Sequence, residues 1–493
     1  MTTLTLSLVS HTNAGKTTLA RTLLGQDIGE VRDAPHVTEF ASMHVLLRTP
    51  EGDELRLWDT PGFGDSARLV RRMRARANPL GWFLGEVWDR WRDRSFWASQ
   101  RALRHVQSDS DVLLYLVNAA ESPAAAGYVA PEMELLDWVG KPVLVLLNQL
   151  GAPRPVAEEA AEVEAWRAQL AGWPKVHAVL PLDAFARCWV HELTLLQAAQ
   201  AALAAIRQDE AAAAMARLAA AWQAQREATF SASMQALAQS LARTALAREL
   251  LEAGDGWAER LRRIGAALGS NPGAQRADPA AAAQERLGAT LAAEARVNTG
   301  RLLRLHGLAG SAEDEILGRV AGQFDVHQRV SEGRAAVLGG AVTGALAGLK
   351  ADIVSGGLTL GGGLLAGAVL GALGAAGVAR GINVVRGTGR SWVAWSAAAL
   401  HAAAQAALLR YLAVAHFGRG RGEWSQGEAP AHWRQTVAQA LAPRREAMAA
   451  LWVARSQRGE ERIDTAALVD RLQPLLQQAA GEALRSLYGT AAI

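Results

Sequence analysis

The chain has 493 residues, half of them apolar and a fifth charged, with a formal net charge of +3. It is too long for one hydrophobic core and too apolar for a disordered chain, and so balanced in charge that nothing in the total points to nucleic acid. Cys188 is the only cysteine, which excludes a disulfide framework and a cysteine-rich metal site. Arginine carries the basic character, because Lys16, Lys141, Lys175 and Lys350 are the only lysines. The sole cysteine fits a reducing cytosol, and the N-terminus opens directly into a strand-like run, so no secretory signal is expected.

The first run, Leu4 to Val9, reads as a strand. A tight loop follows, Ser10-His11-Thr12-Asn13-Ala14-Gly15-Lys16-Thr17, and then a helix from Thr18 to Leu24 stopped by Gly25. This is the layout of a phosphate-binding loop, in which backbone N–H groups and a helix N-terminus converge on an anion. Asn13, Ala14, Gly15, Lys16, Thr17 and Thr18 would line the phosphates, with Lys16 on the β/γ-phosphates and the Thr17 hydroxyl on Mg²⁺. Ser10 replaces the first glycine of the usual pattern. Further strands are expected at Ser42–Leu47, Glu54–Trp58, Asp111–Val117, Pro142–Leu147 and Val176–Leu180. The continuous apolar runs of the fourth and fifth strands suit central positions covered on both faces.

The third strand ends Asp59-Thr60-Pro61-Gly62. There Asp59 would hold Mg²⁺ and the Gly62 N–H would meet the terminal phosphate. Thr38, between this segment and the loop, stands where a switch threonine closes on the metal. Lys16, Thr38 and Gly62 are the expected catalytic set, and Thr17, Thr38 and Asp59 the expected metal set. Residues 63–110 exceed an ordinary connection and carry Arg68, Arg71, Arg72, Arg74 and Arg76, then Trp82, Trp88, Trp91 and Trp97. They read either as extra helices packed on the domain or as a mobile element that contacts a partner or membrane. After the fifth strand, Asn148-Gln149-Leu150-Gly151 stands where a base-reading Asn-Lys-x-Asp is usual. Asn148 and Gln149 remain candidate nucleotide contacts, but Gly151 offers no carboxylate for guanine. Asp183 either substitutes for it or caps a helix.

From 191 to 334 the pattern is helical, with apolar residues at three- and four-residue spacing. Residues 335–379 carry only Lys350 and Asp352 as charges, and glycines recur every fourth residue at Gly340, Gly344, Gly348 and at Gly363, Gly367, Gly371. That spacing puts the glycines on one helix face and lets two backbones approach closely. Gly356 to Ala379 is long enough to span a bilayer core, which takes about 20 residues. Arginines on both flanks put both ends on the cytoplasmic side. A membrane-inserted hairpin and a soluble, tightly packed helical pair both fit. Residues 380–493 read as amphipathic helices carrying Trp392, Trp395, Trp424, Trp433 and Trp452. The segment Phe417-Gly418-Arg419-Gly420-Arg421-Gly422 reads as a solvated turn or an anion-binding loop.

In order and at strand ends, these segments resemble an Era/TrmE-like P-loop GTPase of the translation-factor-related class. A closer resemblance is to a bacterial GTPase family with a C-terminal domain of unknown function. It is carried by Gly15-Lys16-Thr17 after His11-Thr12-Asn13, by Trp58 through Asp65, by Asp183-Ala184-Phe185-Ala186-Arg187-Cys188-Trp189, and by Arg410-Tyr411-Leu412-Ala413-Val414-Ala415-His416-Phe417. The resemblance implies GTP/GDP and Mg²⁺ as cofactors and an α/β P-loop GTPase domain at 1–190, with 63–110 as a helical insertion. After it would come a mainly α-helical region, divided into 191–334, a glycine-zipper hairpin at 335–379, and 380–493. Asn13 matches the loop asparagine that helps bind K⁺ in TrmE-like relatives, or else it merely shapes the loop. Phe63 occupies the place of a water-orienting glutamine. The expected function is a slow GTP-hydrolysing switch at the bacterial inner membrane, with guanine nucleotide, membrane and a further protein as partners and no nucleic acid indicated. The alternatives are a nucleotide-bound, non-hydrolysing membrane scaffold and a dynamin-like membrane remodeller.

Overall fold

The computed structural model describes residues 1–12, 14–25, 42–85, 94–150, 154, 156–184, 189–251, 279–308, 382–386, 391–416, 431–454 and 464–488. Asn13, Thr38, Trp88, Trp91, Gly151, Cys188, the loop at 417–422 and all of 335–379 lie outside them. The chain divides into two compact units. One is Met1–Thr229 with Ala415–Trp424 and Leu484–Ile493; the other is Phe230–Val414 with Ser425–Ala483.

The first unit is an α/β layer structure. Its six strands are β1 (Thr3–Ser10), β2 (Ser42–Arg48), β3 (Glu54–Asp59), β4 (Val112–Asn118), β5 (Val143–Asn148) and β6 (Val176–Pro181). They lie in the order β2-β3-β1-β4-β5-β6. All neighbours are parallel except β2 against β3, so the sheet is mixed. Every expected strand forms, within about one residue at each end. Side chains alternate across the pleat. Leu114 and Leu116 of β4 enter the core on one face, while Leu113, Tyr115 and Val117 enter the core on the other. The first face is covered by α1 (Lys16–Leu24), α7 (Trp189–Ala205) and the beginning of α8 (Asp209–Leu246).

The opposite face is covered by α2 (Ser66–Met73), α3 (Pro79–Gly85), α4 (Arg94–Asp109), α5 (Val129–Val139) and α6 (Val156–Leu170). The long connection after β3 is therefore, in its described part, three helices packed on the sheet through Leu69, Met73, Leu80, Phe83, Phe96 and Leu103. Asp65 caps α2 by accepting a hydrogen bond from the Arg68 N–H.

In the second unit, α9 (Pro279–Leu305) runs antiparallel to the latter part of α8. The cross-links run in opposite chain directions: Asn298 to the Ala236 carbonyl, Glu294 to Arg243, and Arg286 to Glu249. This unit also holds a small antiparallel sheet that the helical reading of the sequence missed. Its strands are β7 (Arg248–Leu251), β8 (Ile382–Arg386) and β9 (Ser391–Trp395), with β9 in the middle. Trp392 and Trp395 thus sit on a strand rather than a helix. The cause is local chemistry: Ile-Asn-Val-Val-Arg and Ser-Trp-Val-Ala-Trp are β-branched and aromatic runs that suit a pleated surface. The remaining described helices are α10 (Ala397–Ala415), α11 (Ala431–Leu441), α12 (Arg445–Ala454) and α13 (Thr465–Tyr488). Among the described residues, only α10 is long and apolar enough to cross a membrane, and 61% of that stretch is buried within the protein. A core helix meets the same criterion.

Candidate phosphate and metal site

The sheet register places the site. Leu8 of β1 pairs with Asp59 of β3, so the loop after β1 and the end of β3 lie side by side. Gly15 enters α1 with φ +88°, a left-handed conformation natural to glycine. A Cβ there would fall 2.6 Å from the Asn148 amide nitrogen, so the position is closed to larger residues on both counts.

Lys16 follows on the first turn of α1, only 7% exposed. Its Nζ donates to the Ser10 hydroxyl at 2.9 Å and to the His11 carbonyl at 3.4 Å. Ser10 in turn donates to the His11 carbonyl. The departure from glycine at position 10 therefore has a structural use: the hydroxyl holds the lysine head over the loop. Burial lowers the Lys16 pKa, opposed by the nearby negative charges of Asp59 and Glu132.

Thr17 Oγ1 donates to Asp59 Oδ2 at 2.5 Å. The other carboxylate oxygen, Asp59 Oδ1, is buried without a hydrogen-bond partner. Burial raises the Asp59 pKa, against the hydrogen bond from Thr17 and the charge of Lys16. A hydroxyl and a half-satisfied buried carboxylate are the donors that a hard dication takes when phosphates and waters complete its shell. Among the described residues no group of three His, Cys, Asp or Glu side chains could hold a metal ion alone.

Gly62 closes over the same loop. A Cβ on it would be 3.0 Å from both Lys16 Nζ and the Thr12 Cα. The next N–H, of Phe63, donates to the Ser10 carbonyl at 2.9 Å. The Phe63 side chain is 1% exposed and belongs to the core with Val9 and Leu69.

The last loops are tied together by Asn148. Its amide donates to the Ala14 carbonyl at 2.8 Å, and its Oδ1 accepts from the Ala184 N–H at 2.8 Å. Thr22 of α1 adds a bond to the Ala184 carbonyl. Gln149 has φ +63°. The Asp183 carboxylate accepts the Leu150 N–H at 2.7 Å and braces the loop after β5. Thr18 is buried in the first turn of α1. Lys16, Thr17, Asp59 and Gly62 thus converge, with Ala14, Gly15, Thr18, Asn148 and Gln149 around them.

Residues 5–149 match the family described as 50S ribosome-binding GTPase. Residues 5–149 are a P-loop GTPase domain. The P-loop GTPase resemblance read from the sequence holds for these residues. Similar solved structures include Era in complex with MgGDPNP and part of 16S ribosomal RNA, at 17% identity, 37% of this chain, 51% of that chain and a TM-score of 0.28. A variant of Aquifex aeolicus Era bound to GDP.AlF4- gives 18%, 37%, 52% and 0.28. Toc33 from Arabidopsis thaliana in complex with GDP and Mg²⁺ gives 15%, 37%, 71% and 0.22. The chain thus spans about half the length of the Era chains it matches. No curated protein matches it significantly.

The GTPase domain carries a polar network that the sequence reading overlooked. His11, in the phosphate loop, meets Glu132 of α5 at 2.8 Å through Nδ1. Tyr115 of β4 donates to the other Glu132 oxygen at 2.8 Å. The His11 ring stacks on Tyr128 at 4.9 Å. Glu132 is wholly buried, which raises its pKa against the stabilising hydrogen bond from His11. A signal was present: Glu132 stands three residues after Val129 and four before Leu136, on the apolar stripe of α5, where a solvated acid does not belong.

A second network lies deeper. Ser7, His105 and Asp109 form a chain of hydrogen bonds at 3.3 and 3.1 Å. The residue types are those of a hydrolytic triad. Ser7 is inaccessible inside β1, however, and the chain braces α4 against the sheet.

Proposed function

We propose that the chain binds GTP and GDP with Mg²⁺ and hydrolyses GTP slowly as a conformational switch at the bacterial inner membrane. The observation that carries the nucleotide part is the unpartnered, buried Asp59 oxygen beside Thr17, the residue after Lys16. Thr17 and Asp59, with Thr38, would hold Mg²⁺. The ion supplies charge neutralisation between the β- and γ-phosphates. Lys16 and the backbone from Asn13 to Thr18 bind the phosphates, and Gly62 senses the terminal one. Asn13 would add a K⁺ site. Asn148 and Gln149 face the base, without the carboxylate that normally reads guanine. The division proposed is a GTPase domain at 1–190, helices at 191–334, an apolar hairpin at 335–379 and helices at 380–493. Membership of the family with the C-terminal domain of unknown function belongs to the same proposal.

Slow hydrolysis is supported by Phe63, whose ring is committed to the core and cannot orient a water molecule. That same observation favours the second reading, a scaffold that binds nucleotide without hydrolysing it. Phosphate release from GTP by the full-length protein, measured in K⁺ and in Na⁺, separates the two: sustained absence of release in both leaves the scaffold. Competition between GTP and ATP for a labelled nucleotide tests base preference. GTP is expected to displace it at lower concentration, and Gly151→Asp to widen the margin. Equal displacement would sink the guanine assignment.

A further inference from the structure

Phe63 leaves one role at the nucleotide site unfilled, because its ring lies in the core with Val9 and Leu69 and offers no polar group to water. The residue beside it is polar. His11 and Phe63 form a parallel β-bridge, and the Phe63 N–H donates to the Ser10 carbonyl at 2.9 Å. Directly paired residues of parallel strands send their side chains to the same face, here the face covered by α5, which carries Glu132. One residue before Phe63, a Cβ on Gly62 would be 3.0 Å from Lys16 Nζ. The imidazole of His11 therefore stands next to the segment expected to meet the terminal phosphate.

The ring is fixed on one side and open on the other. Its Nδ1 meets Glu132 Oε1 at 2.8 Å, and the Tyr115 hydroxyl donates to Glu132 Oε2 at 2.8 Å. Glu132 is wholly buried and takes a donor on each oxygen, as an ionised carboxylate does. That arrangement puts the imidazole proton on Nδ1 and leaves Nε2 as an acceptor. Tyr128 stacks on the ring at 4.9 Å, and its own hydroxyl accepts the Asn118 N–H at 3.3 Å. Among the described residues His11 Nε2 makes no hydrogen bond, and the side chain is 36% exposed. In the buried Ser7–His105–Asp109 chain, by contrast, both ring nitrogens are committed. An imidazole oriented by a buried carboxylate, with its second nitrogen open, is the pairing that acts on a water or a hydroxyl.

We propose that His11, oriented by Glu132, positions the attacking water in GTP hydrolysis, the part that Phe63 cannot play. The assignment rests on the hydrolysing reading above. In the step, the water oxygen bonds to the γ-phosphorus as the bond from that phosphorus to the β–γ bridging oxygen breaks, giving GDP and inorganic phosphate. One water proton stays on the new phosphate oxygen and the other is lost to solvent. His11 Nε2 accepts a hydrogen bond from the water and keeps no proton. Glu132 is a positioning residue that acts through His11.

Phosphate release at saturating GTP and affinity for a fluorescent nucleotide, both measured on the full-length protein, provide the test. His11→Phe should slow release by on the order of a hundredfold, the lower end of what a positioned acid–base group contributes. His11→Gln, whose amide oxygen accepts from the same water, should lose less. Glu132→Gln separates orientation from packing. Its NH2 donates to His11 Nδ1 and moves the imidazole proton to Nε2, which then no longer accepts from water. Release should fall by on the order of a hundredfold while nucleotide affinity stays near wild type. This variant also decides the case in which His11→Phe does not fold. Release at the wild-type rate in Glu132→Gln overturns the assignment and leaves slow hydrolysis standing. A loss of affinity as large as the loss of rate overturns it as well, since the network then only shapes the loop. No release by the wild type in K⁺ or in Na⁺ overturns it together with the hydrolysing reading.

Discussion

The carboxyl of Asp59 is where protonation and metal binding compete. Burial raises its pKa in the folded protein above the unfolded value. Such a group favours folding fully only below the unfolded carboxylate pKa of about 3.9, and the contribution is lost as pH rises through the folded value. A dication held by Asp59 requires the ionised form. The rise in melting temperature on adding Mg²⁺ and nucleotide should therefore shrink as pH falls through the raised pKa, and Asp59→Asn should flatten that dependence. A pH-independent increment in the wild type would count against Asp59 as a ligand. His11 and Glu132 offer a second case. Replacing Glu132 by Ala strands the Tyr115 hydroxyl and frees His11, and should weaken nucleotide affinity by about tenfold. Glu132→Gln, whose amide oxygen accepts from one partner while its NH2 donates to the other, should recover most of it. An affinity unmoved by Glu132→Ala, measured by titration of a fluorescent nucleotide, would show that the network has no bearing on the loop.

Among the elements, the loop before α1 is tied to β5 by the Asn148 side chain. Asn148→Ala removes both the bond to Ala14 and the bond from Ala184, each buried. A loss of about 3 kcal/mol in unfolding free energy is expected, readable by denaturant titration of the full chain. Gly15→Ala should abolish nucleotide binding while costing about 1–2 kcal/mol for the left-handed backbone alone.

Most of this architecture was legible in the chain. Continuous apolar runs such as Val112–Val117 and Val143–Leu147 suit strands covered on both faces, and Gly15-Lys16-Thr17 marks where the first helix begins. The first strand of the small sheet in the second unit was not legible. Arg248–Leu251 continues the alanine- and leucine-rich composition of α8, and its strand character comes from pairing with Ser391–Trp395, some 140 residues later. The convergence of Glu132 and Tyr115 on His11 was hidden for the same reason, since contacts between distant segments leave no local period. Asp183 was readable as a polar residue with a backbone to serve, but which backbone depended on how β5 and β6 lie together.

At the scale of the molecule, the proposed membrane insertion of residues 335–379 sets the expected behaviour. Carbonate-washed membranes should retain the full-length protein, and Leu364→Arg with Leu370→Arg should release it, since each charge at a helix centre costs about 2.5–3.5 kcal/mol on insertion. A wild-type protein found in the carbonate supernatant would defeat the membrane reading and leave the nucleotide site untouched. The brace through Asn148 has a temporal consequence. The loop that holds phosphates is made first, yet it is anchored by a residue near position 148 and by a backbone amide at 184. A ribosome adding roughly 5–20 residues per second reaches Ala184 on the order of ten to thirty seconds after Lys16. Throughout that interval the nascent chain carries a complete Gly15-Lys16-Thr17 without the parts that shape it. Nucleotide should first bind tightly when β6 and the loop beyond it leave the ribosome, so capture of GTP would mark the completion of this domain during synthesis.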